Sequence, residues 1–232
     1  MGNDTTSGAL ALIMLNLALH QEVQEKLYNE IKDAIDDNYG HVNLDFNTLS
    51  NLKYTDKVIK ESIRLWGLDF FDRKCTKKFY IPELDFTVPK GMHVSIAAGN
   101  IMKDETNFEN PLEFDPDLHF ESDNFFVPNF IGFGHGPRSC IGMRLAFTMI
   151  RTALVHTIYN FKVVPAGLKT KKNWKFEPRI PGGIDKNEIF VKLQRRNISL
   201  KKTIQLIVIV SRLSLNILSV KHGLYTCNFM RT

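Results

Sequence analysis

Ala9–His20 is apolar almost all round, which predicts a helix buried on every side. Gln21–Ile35 carries Val23, Leu27, Ile31 and Ile35 four residues apart, the mark of an amphipathic helix, and Asp36-Asp37-Asn38-Tyr39-Gly40 ends it. Tyr54–Trp66 is a third helix with Val58, Ile59, Ile63 and Leu65 on its apolar face. The pattern then shortens. Lys78–Ile81, Phe86–Val88 and His93–Ala97 are brief β-like runs punctuated by Pro82, Pro89 and Gly91, and Val88–Gly91 reads as a turn between two strands. Asn107–Phe130, rich in Pro, Asp, Asn and Phe, has neither period and reads as a long loop of the kind that serves a site. After the glycine-rich stretch Ile131–Cys140, Ile141–Phe161 predicts a strong helix, and the remainder to Leu193 leans to strand, with Ile189, Val191 and Leu193 alternating. No internal repeat is present.

At 232 residues the chain has room for one domain with a real core, or two small ones, and 44% hydrophobic with 24% charged residues is globular. Much of its Phe, eight of 17 residues, lies between Phe108 and Phe147, which anticipates a dense core or a large apolar partner. The net charge of +5 resides in Ile198–Thr232, where Lys201, Lys202, Arg212, Lys221 and Arg231 meet no acid; residues 1–197 balance 25 basic against 25 acidic side chains. A neutral body weakens a nucleic-acid reading. In the tail, Ile204–Val220 is mostly aliphatic and broken by Arg212, open to two readings: a membrane-surface helix, or a non-native extension from an incorrectly ended reading frame. The N-terminus lacks the layout of a signal peptide, and Ala9–Leu19 is too short to cross a bilayer. Cys75, Cys140 and Cys227 are scattered and odd in number, which fits a reducing compartment better than a disulfide scaffold or a zinc site.

The chemistry concentrates in Phe133-Gly134-His135-Gly136-Pro137-Arg138-Ser139-Cys140-Ile141-Gly142. A lone cysteine here follows a glycine-rich loop at a helix start, where backbone N–H groups and the helix dipole favour a thiolate. Gly134 and Gly136 permit a close backbone approach to a flat ligand, and Arg138 adds a fixed positive charge. An ordinary buried cysteine would look similar in isolation. A phosphate loop is excluded by the missing G-x-x-x-x-G-K-[ST] and G-x-G-x-x-G patterns. Farther upstream, Glu61 and Arg64 stand at i,i+3 on the third helix and face each other, as an exposed ion pair also would.

The cysteine segment resembles the signature F-x-x-G-x-R-x-C-x-G of the cytochrome P-450 family at every fixed position, and Glu61-Ser62-Ile63-Arg64 is similar to the family's E-x-x-R. The resemblance implies a mainly α fold with small β-sheets (α+β), the C-terminal part of such a fold. It implies haem b held through Cys140 as the iron ligand, with Phe133 packed beside it, Gly142 closing the signature and Arg138 paired with a haem propionate. Arg73, in Phe71-Asp72-Arg73-Lys74-Cys75, takes the place of a basic residue that meets the second propionate, and Glu61 with Arg64 forms a structural lock. The family's third partner, in P-x-R-F, has no arginine in Phe114-Asp115-Pro116-Asp117-Leu118-His119-Phe120; His119 is the candidate substitute. Gly2-Asn3-Asp4-Thr5-Thr6 resembles A-G-x-[DE]-T-[TS], with Thr5 steadying dioxygen and Asp4 relaying protons, although the same residues also make good helix N-caps.

The implied activity is insertion of one oxygen atom from dioxygen into an apolar substrate. NADPH supplies electrons through a partner reductase, or through a small electron-transfer haem protein, at the endoplasmic reticulum membrane on its cytosolic face. A catalytically silent haem-binding or interaction fragment is the alternative. The resemblance covers residues 1–197 and begins in the family's long central helix, so the chain reads as a fragment with residues 198–232 as an atypical tail. On that reading the apolar surface of Ala9–Leu19 is left exposed. Gly67–Phe71 and Gly182–Ile184 are the surviving substrate-facing patches.

Overall fold

A computed structural model describes residues 2–67, 70–120, 129–167, 170, 189–196, 206–211 and 214–218, with the backbone alone at 2–4, 206–211 and 214–218. Helix α1 (Gly2–Leu19) begins ahead of the apolar run and packs against α2 (Gln21–Asp37), α4 (Lys53–Trp66), α7 (Met143–Asn160) and strand β5 (Phe161–Pro165). Neighbours on several sides explain its all-round apolar sequence: Ala11, Leu12, Ile13, Leu15, Leu17 and Ala18 are all buried. The expectation of an exposed Ala9–Leu19 surface is therefore corrected. Even Asn16 is enclosed, donating to Ser62 Oγ at 3.1 Å and accepting from Trp66 Nε1 at 3.2 Å, so the one polar residue in the run meets its hydrogen bonds inside.

Val23, Leu27, Ile31 and Ile35 of α2 are buried as their spacing requires. Its end comes two residues later than expected, where Tyr39 and Gly40 turn left-handed at φ +55° and +79° and the Gly40 N–H donates to Ile35 O at 2.8 Å. A short α3 (Phe46–Ser50), invisible to periodicity, is capped by Asp45, whose carboxylate accepts from Thr48 N at 2.7 Å. Glu30 of α2 caps α4 from outside, accepting from the N–H groups of Tyr54 (2.6 Å) and Thr55 (2.8 Å).

Four short strands form two antiparallel pairs: β1 (Phe71–Lys74) with β4 (His93–Ile96), and β2 (Phe79–Ile81) with β3 (Phe86–Val88). The Val88–Gly91 turn thus joins strands of different sheets, because β4 returns to β1, the one strand of these four that the residue pattern did not announce. The stretch 107–120 is irregular apart from two one-turn helices near it, α5 (Ala98–Ile101) before and α6 (Pro116–His119) within; residues 121–128 of the expected loop lie outside the described residues.

Strands β5 and β6 (Phe190–Arg195) pair antiparallel, and Ile189, Val191 and Leu193 point into the core. Of the two readings of the tail, the helical one is also corrected. Leu206–Ser211 and Ser214–Leu218 are strands β7 and β8, which continue the sheet in the order β5-β6-β7-β8 with Phe190 opposite Ile209. Ile207, Val208, Ile209 and Val210 are mainly β-branched and suit a pleated ladder better than a helix. Among the described residues no helix is long and apolar enough to cross a membrane.

Candidate functional site: the cysteine loop and the lock behind it

The cysteine loop is closed by its own backbone. Gly134 N donates to Ile131 O at 2.8 Å, and Cys140 N reaches back to Phe133 O at 2.8 Å. Between them Gly136–Arg138 makes a single 3-10 turn. Gly134 and Gly136 both sit at positive φ, +74° and +71°, so glycine is needed there for conformation. Gly132 is needed for space: a Cβ on it would stand 2.4 Å from Ile63 Cγ2 of α4 and 3.1 Å from the Phe130 ring. The loop is thus pressed directly onto the helix that carries Glu61 and Arg64. Phe133 turns inward and packs on Phe147 of α7, ring centroids 5.5 Å apart.

Cys140 is exposed and stands three residues ahead of α7, which begins at Met143 and not at Ile141; Gly142 is the N-cap and its carbonyl accepts from Ala146 N at 2.9 Å. A Cβ on Gly142 would lie 4.0 Å from the Cys140 sulfur. Beside the loop is an open cavity of about 270 Å³ lined by Phe71, Arg73 and Ile96 from the β1–β4 pair and by Ile131, Gly134, His135, Pro137 and Arg138 from the loop. The fold therefore brings Arg73 and Arg138, far apart in sequence, to one apolar-walled cavity. Cys140 is not in its lining but leaves the same loop two residues after Arg138. Arg73 is exposed and donates to Asp72 O at 2.8 Å. Ile141, Leu145 and Met149 continue the exposed apolar surface along α7.

Behind the loop, Glu61 and Arg64 form a fully buried bidentate pair: Arg64 Nε donates to Glu61 Oε2 at 2.7 Å and Nη2 to Oε1 at 2.9 Å. The remaining guanidinium protons go to the carbonyls of Met102 (2.8 Å), Pro111 (2.6 Å) and Glu113 (3.0 Å), so all five donors are used. A surface ion pair is excluded by this burial. His119, from α6, joins the pair with Nδ1 2.9 Å from Glu61 Oε1. The longer spacing of Phe114–Phe120 does not prevent this, because Pro116–His119 coils into one helical turn capped by the Asp115 carboxylate. Thr5 is exposed on α1, the Asp4 side chain lies outside the described residues, and so does Gly182–Ile184.

The sequence reading passed over a second buried bidentate pair, Arg151 of α7 with Asp56 of α4, both contacts at 2.7 Å. An arginine inside the otherwise apolar middle of Ile141–Phe161 was the available signal. Burial of Gln24, which accepts from Val163 N at 2.8 Å and donates to Val163 O at 2.7 Å, had none.

A family model described as Cytochrome P450 matches residues 1–187. A probable cytochrome P450 28a5 of Drosophila melanogaster is 38% identical over 76% of this chain and 36% of its own length. Cytochrome P450 6j1 of Blattella germanica is 32% identical over 71% and 33%, and cytochrome P450 3A9 of Rattus norvegicus 34% identical over 78% and 36%. The chain spans about a third of the length of these curated relatives. Since the family match runs through both the lock on α4 and the cysteine loop, the α+β fold and its buried Glu61–Arg64 pair have a plain affiliation: the chain belongs to the cytochrome P450 family.

Proposed function

We propose that this chain is the thiolate-side part of a haem-dependent monooxygenase, with Cys140 as the protein ligand to iron. The observation that carries the reading is the exposed Cys140 at the end of a loop whose residues wall an apolar cavity flanked by Arg73 and Arg138. Haem b matches that donor set: a flat apolar macrocycle, a metal that takes a thiolate, and two carboxylates. Phe71, Ile96 and Ile131 supply apolar surface, Arg73 and Arg138 supply cations for the carboxylates, and the left-handed Gly134 and Gly136 keep side chains off the loop. When bound, haem would supply activation of dioxygen and delivery of one oxygen atom to an apolar organic substrate.

Most of the chain's own residues serve that group from the thiolate side. Cys140 donates the thiolate, Phe133 anchors the loop to α7, Gly142 leaves room beside the sulfur, and the Glu61–Arg64–His119 cluster holds α4 under the loop. Thr5 and Asp4 on α1 serve as the alcohol and acid of an oxygen-facing helix. Residues 1–197 form the family unit. In the whole protein, electrons come from an NADPH-dependent reductase, or a small electron-transfer haem protein, at the cytosolic face of the endoplasmic reticulum. A second reading is a haem-binding or interaction piece without turnover, favoured by the absence of an arginine from Phe114–Phe120, where His119 takes its place.

The test is the carbon monoxide difference spectrum of the purified, haem-reconstituted and reduced chain. A Soret band of the thiolate-ligated type, absent from Cys140→Ala, is expected; haem uptake unchanged by that substitution would sink the assignment of Cys140. Turnover of an apolar substrate with NADPH and a reductase then separates the enzyme from the silent piece.

A further inference from the structure

His119 stands between two groups that only accept. Its Nδ1 lies 2.9 Å from Glu61 Oε1, and its Nε2 lies 2.6 Å from the Glu109 carbonyl oxygen. A neutral imidazole owns one N–H, so either tautomer would set a ring lone pair against an oxygen lone pair at one of these contacts. Moving the missing proton onto Glu61 does not help. Oε1 accepts from Arg64 Nη2 (2.9 Å) and Asp115 N (3.0 Å) and Oε2 from Arg64 Nε (2.7 Å), so the negative charge of Glu61 is what balances the buried guanidinium, and a proton placed there would leave Arg64 without a counter-charge. Both ring nitrogens must donate.

We infer that His119 is held as an imidazolium, a second buried cation on Glu61, and that the lock supporting the cysteine loop loosens when this histidine loses a proton. The groups facing it support the charge. From α4 come Glu61, opposite in sign, and Arg64, like in sign but engaged by Glu61 and three carbonyls. Lys60, also on α4, lies over the ring of the adjacent Phe120 at 5.8 Å. The preceding loop brings the Glu109 carbonyl and the edge of Phe108, ring centroids 5.8 Å apart. On its own segment, Asp115 caps the helical turn and Asp117 pairs with Lys26 of α2 at 2.7 Å. Burial works against the charge, but the hydrogen bonds to Glu61 and Glu109 and the Glu61 charge prevail, raising the His119 pKa above the usual imidazole range. A raised histidine stabilises the fold fully below its unfolded pKa, about 6.5, and that contribution disappears as pH rises through the folded value.

The consequence reaches the cysteine loop by contact. Phe120, next to His119, meets Phe130 edge-on at 5.4 Å, and Gly132 rests on Ile63, the neighbour of Arg64. The test is long-range proton–nitrogen NMR of the full chain labelled at histidine ring nitrogens, with His119→Gln identifying the resonances by their loss. Both nitrogens are expected to show imidazolium shifts at a pH where the urea-unfolded chain shows neutral rings. One pyridine-like nitrogen on His119 at that pH would overturn the inference. Urea midpoints give an independent readout: wild type is expected to lose stability relative to His119→Gln between pH 6 and pH 9, and His119→Arg, with a permanent charge, to lose less than wild type. Parallel decline of wild type and His119→Gln would refute the pH dependence. The spectroscopic arm needs only the wild-type chain if the variants do not fold, because His119 is the buried histidine among the described residues and its resonances are assigned through contact with the Phe108 ring.

Discussion

Two charged regions lie within a few residues of the same loop, and they are built in opposite ways. The Glu61–Arg64–His119 cluster is buried, and its carboxylate, guanidinium and imidazole direct every donor at an acceptor inside the chain. Around Cys140, by contrast, Arg73, Arg138 and the sulfur are exposed, and the neighbouring Ile141, Leu145 and Met149 present apolar side chains to the outside. Desolvated charges are tolerable only when paired, so the first region is committed to holding the fold. Exposed charges beside exposed apolar surface contribute little to folding and retain their capacity for a ligand. The difference separates support from binding: substitutions in the lock register as stability, and substitutions on the open face register as loss of what binds there.

The strongest way to break this contrast is Glu61→Ala. It strands Arg64, and His119 with it, as buried cations without a counter-charge, and should cost about 3–5 kcal/mol. Urea unfolding of the chain measures it. A cost under about 1 kcal/mol, the range of exposed pairs, would mean that water reaches the cluster and that the two regions do not differ in kind.

The lock and the loop were legible in the sequence to different depths. Glu61 and Arg64 could be matched by spacing because i,i+3 on a helix fixes their geometry locally. His119 was reachable only through the family pattern, since whether a loop residue meets α4 depends on the path of residues 104–118. Strand β1 escaped notice because Phe71-Asp72-Arg73-Lys74 is polar and its pairing with β4 is set by tertiary context. The same limit explains the misjudged exposure of α1: an all-round apolar helix announces burial, but only the three-dimensional arrangement shows that α2, α4, α7 and β5 supply the cover. The aliphatic run in the tail was ambiguous in period, and its β-branched content should have outweighed the helical reading.

A smaller effect joins the two regions. Gly132→Ala places a methyl group 2.4 Å from Ile63 Cγ2, where the loop bearing Cys140 rests on the helix bearing the lock. Overpacking of this kind should cost about 1–3 kcal/mol and, because the loop must shift, should lower haem retention as well. Pairing it with Ile63→Leu, which lacks the obstructing Cγ2 methyl at similar volume, should recover much of both. Recovery of stability without recovery of haem binding would show that the loop's placement depends on more than this contact.

The smallest expected effect is the most discriminating for the open face. Ile141 is fully exposed and Leu145, in the first turn of α7, is 65% exposed, so both have little apolar burial to lose. The double substitution Ile141→Ser, Leu145→Ser should leave the urea midpoint within about 0.5 kcal/mol of wild type, as for surface positions generally. Arg138→Ala on the same face should be equally silent in folding and weaken haem binding, because its only assigned task is to neutralise a carboxylate. The two results together define the face: stability unchanged in both, ligand affinity changed in the arginine variant. A loss of 2 kcal/mol or more in the serine variant, on the order expected for burial of one such side chain, would show that this surface is covered by the protein itself in solution and contributes to the fold as the lock does.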